Sequence, residues 1–157
     1  MQTNIGIKPD HLAATSHILT TVLADEFVLY TKTRNAHWNV VGIDFSAKHV
    51  FFENQYEQLD DTMDSVAERI RTLGDYAPAT LGQFLKLTRL TEQSREKNDS
   101  TGFIKELLAD HESIIIFLRE HIDKLASEYK DYGTSDFLTG LMETHEKMAW
   151  MLRSHLS

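Results

Sequence analysis

The chain of 157 residues carries 16 basic and 24 acidic side chains, a net charge of −8 with histidine neutral, with eight histidines and no cysteine. That length suits one compact domain, and the absence of cysteine removes disulfides, thiolate metal ligands and cysteine nucleophiles together. The acidic balance disfavours phosphate backbones and favours metal cations, and apolar runs as short as residues 114–118 predict no membrane-spanning helix of about 20 residues.

The first segment, residues 1–9, reads as a short tail without the basic start or apolar stretch of a secretory signal, so a cytoplasmic location is the default. From Asp10 to about Trp38, Leu12, Leu19, Val22, Leu23, Phe27 and Tyr30 recur at spacings of three and four, the signature of an amphipathic helix. Gly42 supplies a turn. A second helix is predicted from near Ser46 to Gly74, with Phe52, Tyr56, Leu59, Met63, Val66 and Ile70 as its apolar stripe. Glycine, proline and polar clusters interrupt the pattern up to Ser100, but Thr80-Leu81-Gly82-Gln83 has capping-box spacing and predicts a short helix through about Leu87. A third long helix shows Phe103, Leu107, His111, Ile114, Leu118, Leu125 and Tyr129. Gly133 is expected to end the next turn, with Thr134 or Ser135 capping a last helix that carries Leu138, Leu141, His145, Met148 and Leu152. No period-two alternation suggests a strand. The expected architecture is all-α: one domain over residues 10–157, a four-helix bundle with a short extra helix in the second-to-third crossover.

The second helix bears a second stripe. His49, Glu53, Asp60, Asp64 and Glu68 fall within an arc of about 100° at 3.6 residues per turn. Charged stripes ordinarily face solvent, and His49 lies about 28 Å along the helix from Glu68, too far to share an ion. Two antiparallel copies of the helix remove that obstacle. The residue numbers of His49 and Glu68, and those of Glu53 and Asp64, both total 117. One register therefore sets His49 and Glu53 of one subunit beside Glu68 and Asp64 of the other, twice, at sites about 22 Å apart. A histidine among three carboxylates suits iron or another divalent metal. His37, near the end of the first helix, lies within reach of His49 across the short turn; its alternative reading is a buried aromatic pair with Trp38. His111, His145 and His155 read as hydrogen-bonded core or interface residues, and His11, His17 and His121 as surface residues. The Glu-x-x-His motif of an intra-bundle di-iron site is absent, so metal oxidation by this bundle would occur between subunits.

The stretch Ala36-His37-Trp38-Asn39-Val40-Val41-Gly42, followed by Phe45, His49, Tyr56, Asp64 and Val66-Ala67-Glu68-Arg69-Ile70, strongly resembles the Dps mini-ferritins, the DNA-binding proteins from starved cells. Residues 133–141 and 145–152 agree with it. The resemblance spans nearly the whole chain after about Asp10. It implies a ferritin-like bundle assembled from two-fold dimers into a hollow homododecamer. It further implies ferroxidase activity that consumes ferrous iron, preferably with hydrogen peroxide, keeps ferric mineral inside the cage and protects the cell against oxidative damage. Carried over by position, a two-iron site is shared between two subunits: His37 and His49 from one, Asp64 and Glu68 from its mate, with Glu68 as the bridging carboxylate. Trp38 matches the tryptophan held to trap radicals beside the centre, with packing at the dimer interface as its plainer role. Asp136 matches an acidic position of the three-fold iron-entry pore. Glu53 departs from the pattern, where aspartate is usual; its extra methylene adds about one bond length and leaves direct and water-mediated ligation both open.

Family members that coat DNA often use Lys/Arg-rich tails. Here Lys8 is the one basic residue before Asp10, and the chain stops at Arg153-Ser154-His155-Leu156-Ser157. Weak or absent DNA binding at neutral pH is expected, with nucleoid association only if DNA is bound. Two rival readings are a structural DNA-compacting cage with incidental metal oxidation, and a helical oligomer that binds no metal.

Overall fold

The computed structural model describes residues 3–92 and 97–156; the first two residues of the expected tail and the last residue of the C-terminus lie outside them. The helices are α1 (Pro9–Asn39), α2 (Phe45–Thr72), α3 (Leu81–Leu87), α4 (Ser100–Ser127) and α5 (Tyr132–Arg153). Among the described residues no strand forms. One isolated bridge joins Val41 to Asp99, and the Val41 amide donates to Asn98 at 3.0 Å. The four long helices form the bundle expected from the periodicity, α1 packing chiefly on α2 and α4 on α5, while α3 rides on α1 within the crossover.

Local chemistry explains the boundaries. Pro9 opens α1, where its missing N–H costs nothing. Thr80 accepts from the Gln83 amide at 3.2 Å, and Gln83 Oε1 accepts in return from the Thr80 hydroxyl and the Ala79 amide, so the expected box forms. Asp99 caps α4 through Gly102 N at 2.7 Å. The expected start of α5 is corrected: its cap is Asp131, not Thr134 or Ser135, and Gly133 lies inside the first turn. Asp131 accepts from both the amide and the hydroxyl of Thr134 and from Arg69 of α2, so this buried carboxylate seats α5 on α2. Tyr129, expected on the α4 stripe, lies beyond the helix in the turn, where His11 stacks on it.

The core is the union of the predicted stripes, including Leu19, Phe52, Leu59, Ile70, Leu107, Leu118 and Leu138, all essentially inaccessible. Contrary to the expectation from short apolar runs, α1 is long and apolar enough to cross a membrane; 67% of that window is buried inside the bundle, and its apolar residues form the core. Two charged groups of α1 hold the crossover to the bundle. Asp25, 1% exposed, accepts from the Arg89 guanidinium, the Arg89 amide and the Thr88 hydroxyl. Lys32 reaches Glu106 at 3.1 Å, Asp110 at 2.5 Å and the Thr91 carbonyl. Removing one partner of such a buried pair costs about 3–5 kcal/mol, because the other charge is left without compensation. The N-terminal segment is also seated: Gly74 has φ +99°, and a Cβ there would lie 2.0 Å from Thr3 Oγ1.

Mid-bundle, Glu26, His145 and His111 form a chain across α1, α5 and α4, each of them 0% exposed. His145 Nε2 donates to Glu26 Oε1 at 2.6 Å, and its Nδ1 meets His111 Nδ1 at 2.9 Å. Burial first, then the neighbouring His145, holds the His111 pKa well below its ordinary 6.5. The folded state keeps this ring neutral while the unfolded state protonates it near 6.5. The stability it contributes is therefore complete above that pH and is lost as pH falls below it. Urea unfolding should show stability falling between pH 7.5 and 5.5, on the order of 1 kcal/mol of it from this one group, and His111→Leu should flatten that slope; an unchanged slope would contradict the assignment.

Candidate metal centre

His37 stands in the last turn of α1 and His49 at the start of α2, and the connection between them is only five residues, 40–44. Gly42 adopts φ +137° within it, a backbone that favours glycine. The helices therefore run back antiparallel with the two imidazoles face to face, centroids 3.8 Å apart and planes 24° apart. Each ring is tied to the other residue's backbone. His37 Nδ1 donates to the His49 carbonyl at 2.9 Å, and His49 Nδ1 to the His37 carbonyl at 2.8 Å. A carbonyl only accepts, so both Nδ1 atoms carry a proton, and each Nε2 is free of hydrogen bonds among the described residues. A carbonyl-fixed imidazole of this kind is the form that ligates a metal, with its orientation set in advance.

Around the pair, Phe45 packs 5.3 Å from His49, and Tyr56 meets His37 edge-on at 5.2 Å. Glu53, one turn on from His49, accepts from the Tyr56 hydroxyl at 3.3 Å. Trp38, adjacent in sequence, is 63% exposed and points at the surface under the Arg34 guanidinium, 5.1 Å from its ring.

The other expected ligands lie elsewhere on α2. Asp64 and Glu68 are exposed, about 22 and 28 Å along the helix from His49. Asp64 lines an open groove of about 470 Å³ with Asp60 and the apolar side chains of Phe27, Met63 and Phe84. No group of three or more His, Asp or Glu side chains of one chain converges on a metal position among the described residues. The structure thus brings His37 and His49 together, sets Glu53 one turn further along α2, and holds Asp64 and Glu68 apart from them at the other end of the same helix face.

Residues 17–157 match the ferritin-like domain family. The chain is 35% identical over 143 residues to the DNA protection during starvation protein of Helicobacter pylori, covering 91% of this chain and 99% of that one. The Dps protein of Vibrio cholerae, described as a member of a broad superfamily of ferritin-like diiron-carboxylate proteins, superposes with a TM-score of 0.92 at 30% identity, covering 100% and 98% of the two chains. The chain belongs to the Dps family of ferritin-like proteins. It is also 43% identical over 153 residues to an uncharacterized low temperature-induced protein of Nostoc, covering 98% of this chain and 86% of that one. DpsC from Streptomyces coelicolor superposes with a TM-score of 0.95 at 26% identity, covering 100% and 91%.

Asp136 of this Dps-family chain is exposed on the second turn of α5, in a groove of about 380 Å³ shared with Asp61, Thr62 and Ser65 of α2. The histidines divide partly as expected. His111 and His145 are core residues and His17 is exposed. His155 is not on an apolar face: it lies past the end of α5, exposed, against Phe51 and 3.0 Å from Lys48 Nζ. His11 and His121, expected at the surface, are half-buried against Tyr129 and Phe117, each accepted by a backbone carbonyl. Sequence reasoning missed Glu26 as the partner of His145. Its position between Val22 and Leu29 on the α1 stripe was the available signal. It also missed Arg34 and the polar role of Tyr56, which a periodicity argument counts only as apolar surface. Nitrogen-15 NMR of the metal-free protein should show Nδ1 of His37 and of His49 carrying a proton; a ring protonated at Nε2 alone would break the assignment.

Proposed function

We propose that this protein is an iron-storing, iron-detoxifying ferroxidase, with ferrous iron as substrate and hydrogen peroxide as the preferred oxidant, acting at a two-iron site shared by two subunits. The observation that carries this reading is the pair of free Nε2 donors held by crossed Nδ1–H···O=C bonds at one end of a helix face whose other end holds two exposed carboxylates. Neutral imidazoles and carboxylates with open coordination positions suit ferrous iron. His37 and His49 of one subunit, with Glu53 beside them, would hold the ion together with Asp64 and Glu68 of the two-fold mate, Glu68 bridging. Iron supplies the electrons that reduce peroxide.

The residues of the chain orient and neutralise. The fixed tautomers of His37 and His49 present lone pairs without reorganisation. The carboxylates balance the cation's charge and stay exposed in the single subunit because their partners are on the other one. Trp38, beside His37 and open to the surface, is placed to take up a stray oxidising equivalent. Asp136, on the exposed face of α5, would line the entry pore of a dodecameric cage that retains ferric mineral. An acidic chain with Thr3 seated near Gly74 offers DNA little, so the structural DNA-compacting reading is not preferred.

The decisive experiment is subunit complementation. His49→Ala and Asp64→Ala homo-oligomers should each lose peroxide-dependent ferrous oxidation, whereas a one-to-one co-assembly should recover about a quarter of the wild-type sites, because half of the dimers are mixed and each mixed dimer keeps one intact site. Recovery of nothing would place all ligands on one subunit, and full activity of both variants would remove the iron reading. In a low-salt gel shift at neutral pH, duplex DNA should run unretarded; tight retention would favour the DNA-compacting cage.

A further inference from the structure

Glu53 lies one turn beyond His49 on α2, and the structure shows how its carboxylate is steadied. One oxygen, Oε1, accepts from the Tyr56 hydroxyl at 3.3 Å, while Oε2 has no partner among the described residues. The Tyr56 ring is itself held on several sides: the His37 ring meets it at 5.2 Å, the Tyr30 ring edge-on at 6.1 Å, and the Arg34 guanidinium lies 4.3 Å from its centroid. Arg34 contacts three aromatic rings in all, those of Tyr30, Trp38 and Tyr56. A glutamate has one more side-chain torsion to order than an aspartate, and binding is stronger when that ordering is done beforehand.

We propose that Tyr56 is a positioning residue for Glu53, tethering one carboxylate oxygen so that the other is presented to a divalent cation beside His37 and His49. The role rests on the iron-oxidation reading given above, and it deepens it: Tyr56 touches both a ligand imidazole and a ligand carboxylate, and Arg34 keeps its ring in place.

The test is a double-mutant cycle on the assembled protein, read by anaerobic calorimetric titration with Fe2+. Tyr56→Phe keeps the ring and its contacts and removes only the hydroxyl. It should weaken Fe2+ binding about three- to tenfold in the wild-type background, the range for one hydrogen bond. The same change made on Glu53→Gln should alter affinity by less than about 1.5-fold, and the melting temperature of the metal-free protein should be unchanged by Tyr56→Phe. Equal losses in both backgrounds would assign Tyr56 to packing and overturn the proposal, as would no loss in the wild-type background. Wild-type protein that takes up no Fe2+ would overturn the iron reading itself, and the positioning role with it.

Discussion

The crossed hydrogen bonds between His37 and His49 are the constraint on which the rest of the site depends. Each is short, at 2.9 and 2.8 Å, and each runs from a side chain on one helix to a main-chain carbonyl on the other. Together they set the register of α1 against α2, stack the imidazoles and settle which nitrogen of each ring carries the proton. An i to i−4 backbone bond would ordinarily use the His37 carbonyl, but it lies at the end of α1, where the last carbonyls lack intrahelical partners. The His49 ring supplies one. The same bond thus satisfies a helix terminus and fixes the orientation of an imidazole.

The charged residues divide into two populations by what surrounds them. Asp25, Lys32, Glu26 and Asp131 are buried and paired within the chain, and they anchor the crossover, the mid-bundle histidines and the start of α5. Asp60, Asp64, Glu68 and Asp136 are exposed, and no buried cation among the described residues pairs with them. The first set specifies how the elements of this fold sit against one another; a lone buried charge would cost several kcal/mol, so each has its partner. The second set is available to partners beyond the chain. That contrast gives α2 its two faces: Phe52, Leu59, Val66 and Ile70 inside the bundle, and the His49-to-Glu68 stripe outside it. On the proposed reading, the outer stripe finds its complement in a second copy of itself.

Much of the bundle was legible in the order of residues. The ends of α1 and α2 lie within about two residues of their expected places, the usual uncertainty of helix boundaries, and the Thr80–Gln83 box forms as its spacing implies. The start of α5 was misplaced because three polar residues, Asp131, Thr134 and Ser135, all have capping side chains; in the structure Asp131 takes the Thr134 amide, and the Arg69 guanidinium of α2 binds Asp131 and the Thr134 hydroxyl together. His155 and His11 were misjudged for a similar reason. Their exposure depends on whether a distant element, the start of α2 or the turn after α4, happens to cover them.

What the sequence by itself determined is therefore whatever depends on residues three or four apart: helices, their apolar stripes, and the common face of His49, Glu53, Asp64 and Glu68, because a helix converts spacing directly into angle. The tertiary structure decided everything that depends on meeting across helices. It set the imidazole tautomers of His37 and His49, the burial of Glu26 with His145 and His111, and the seating of Arg34 and His37 of α1 on the Tyr56 ring of α2. Those contacts join side chains on separate elements at distances of a few ångströms, and no periodicity along one chain segment encodes where another segment will lie against it.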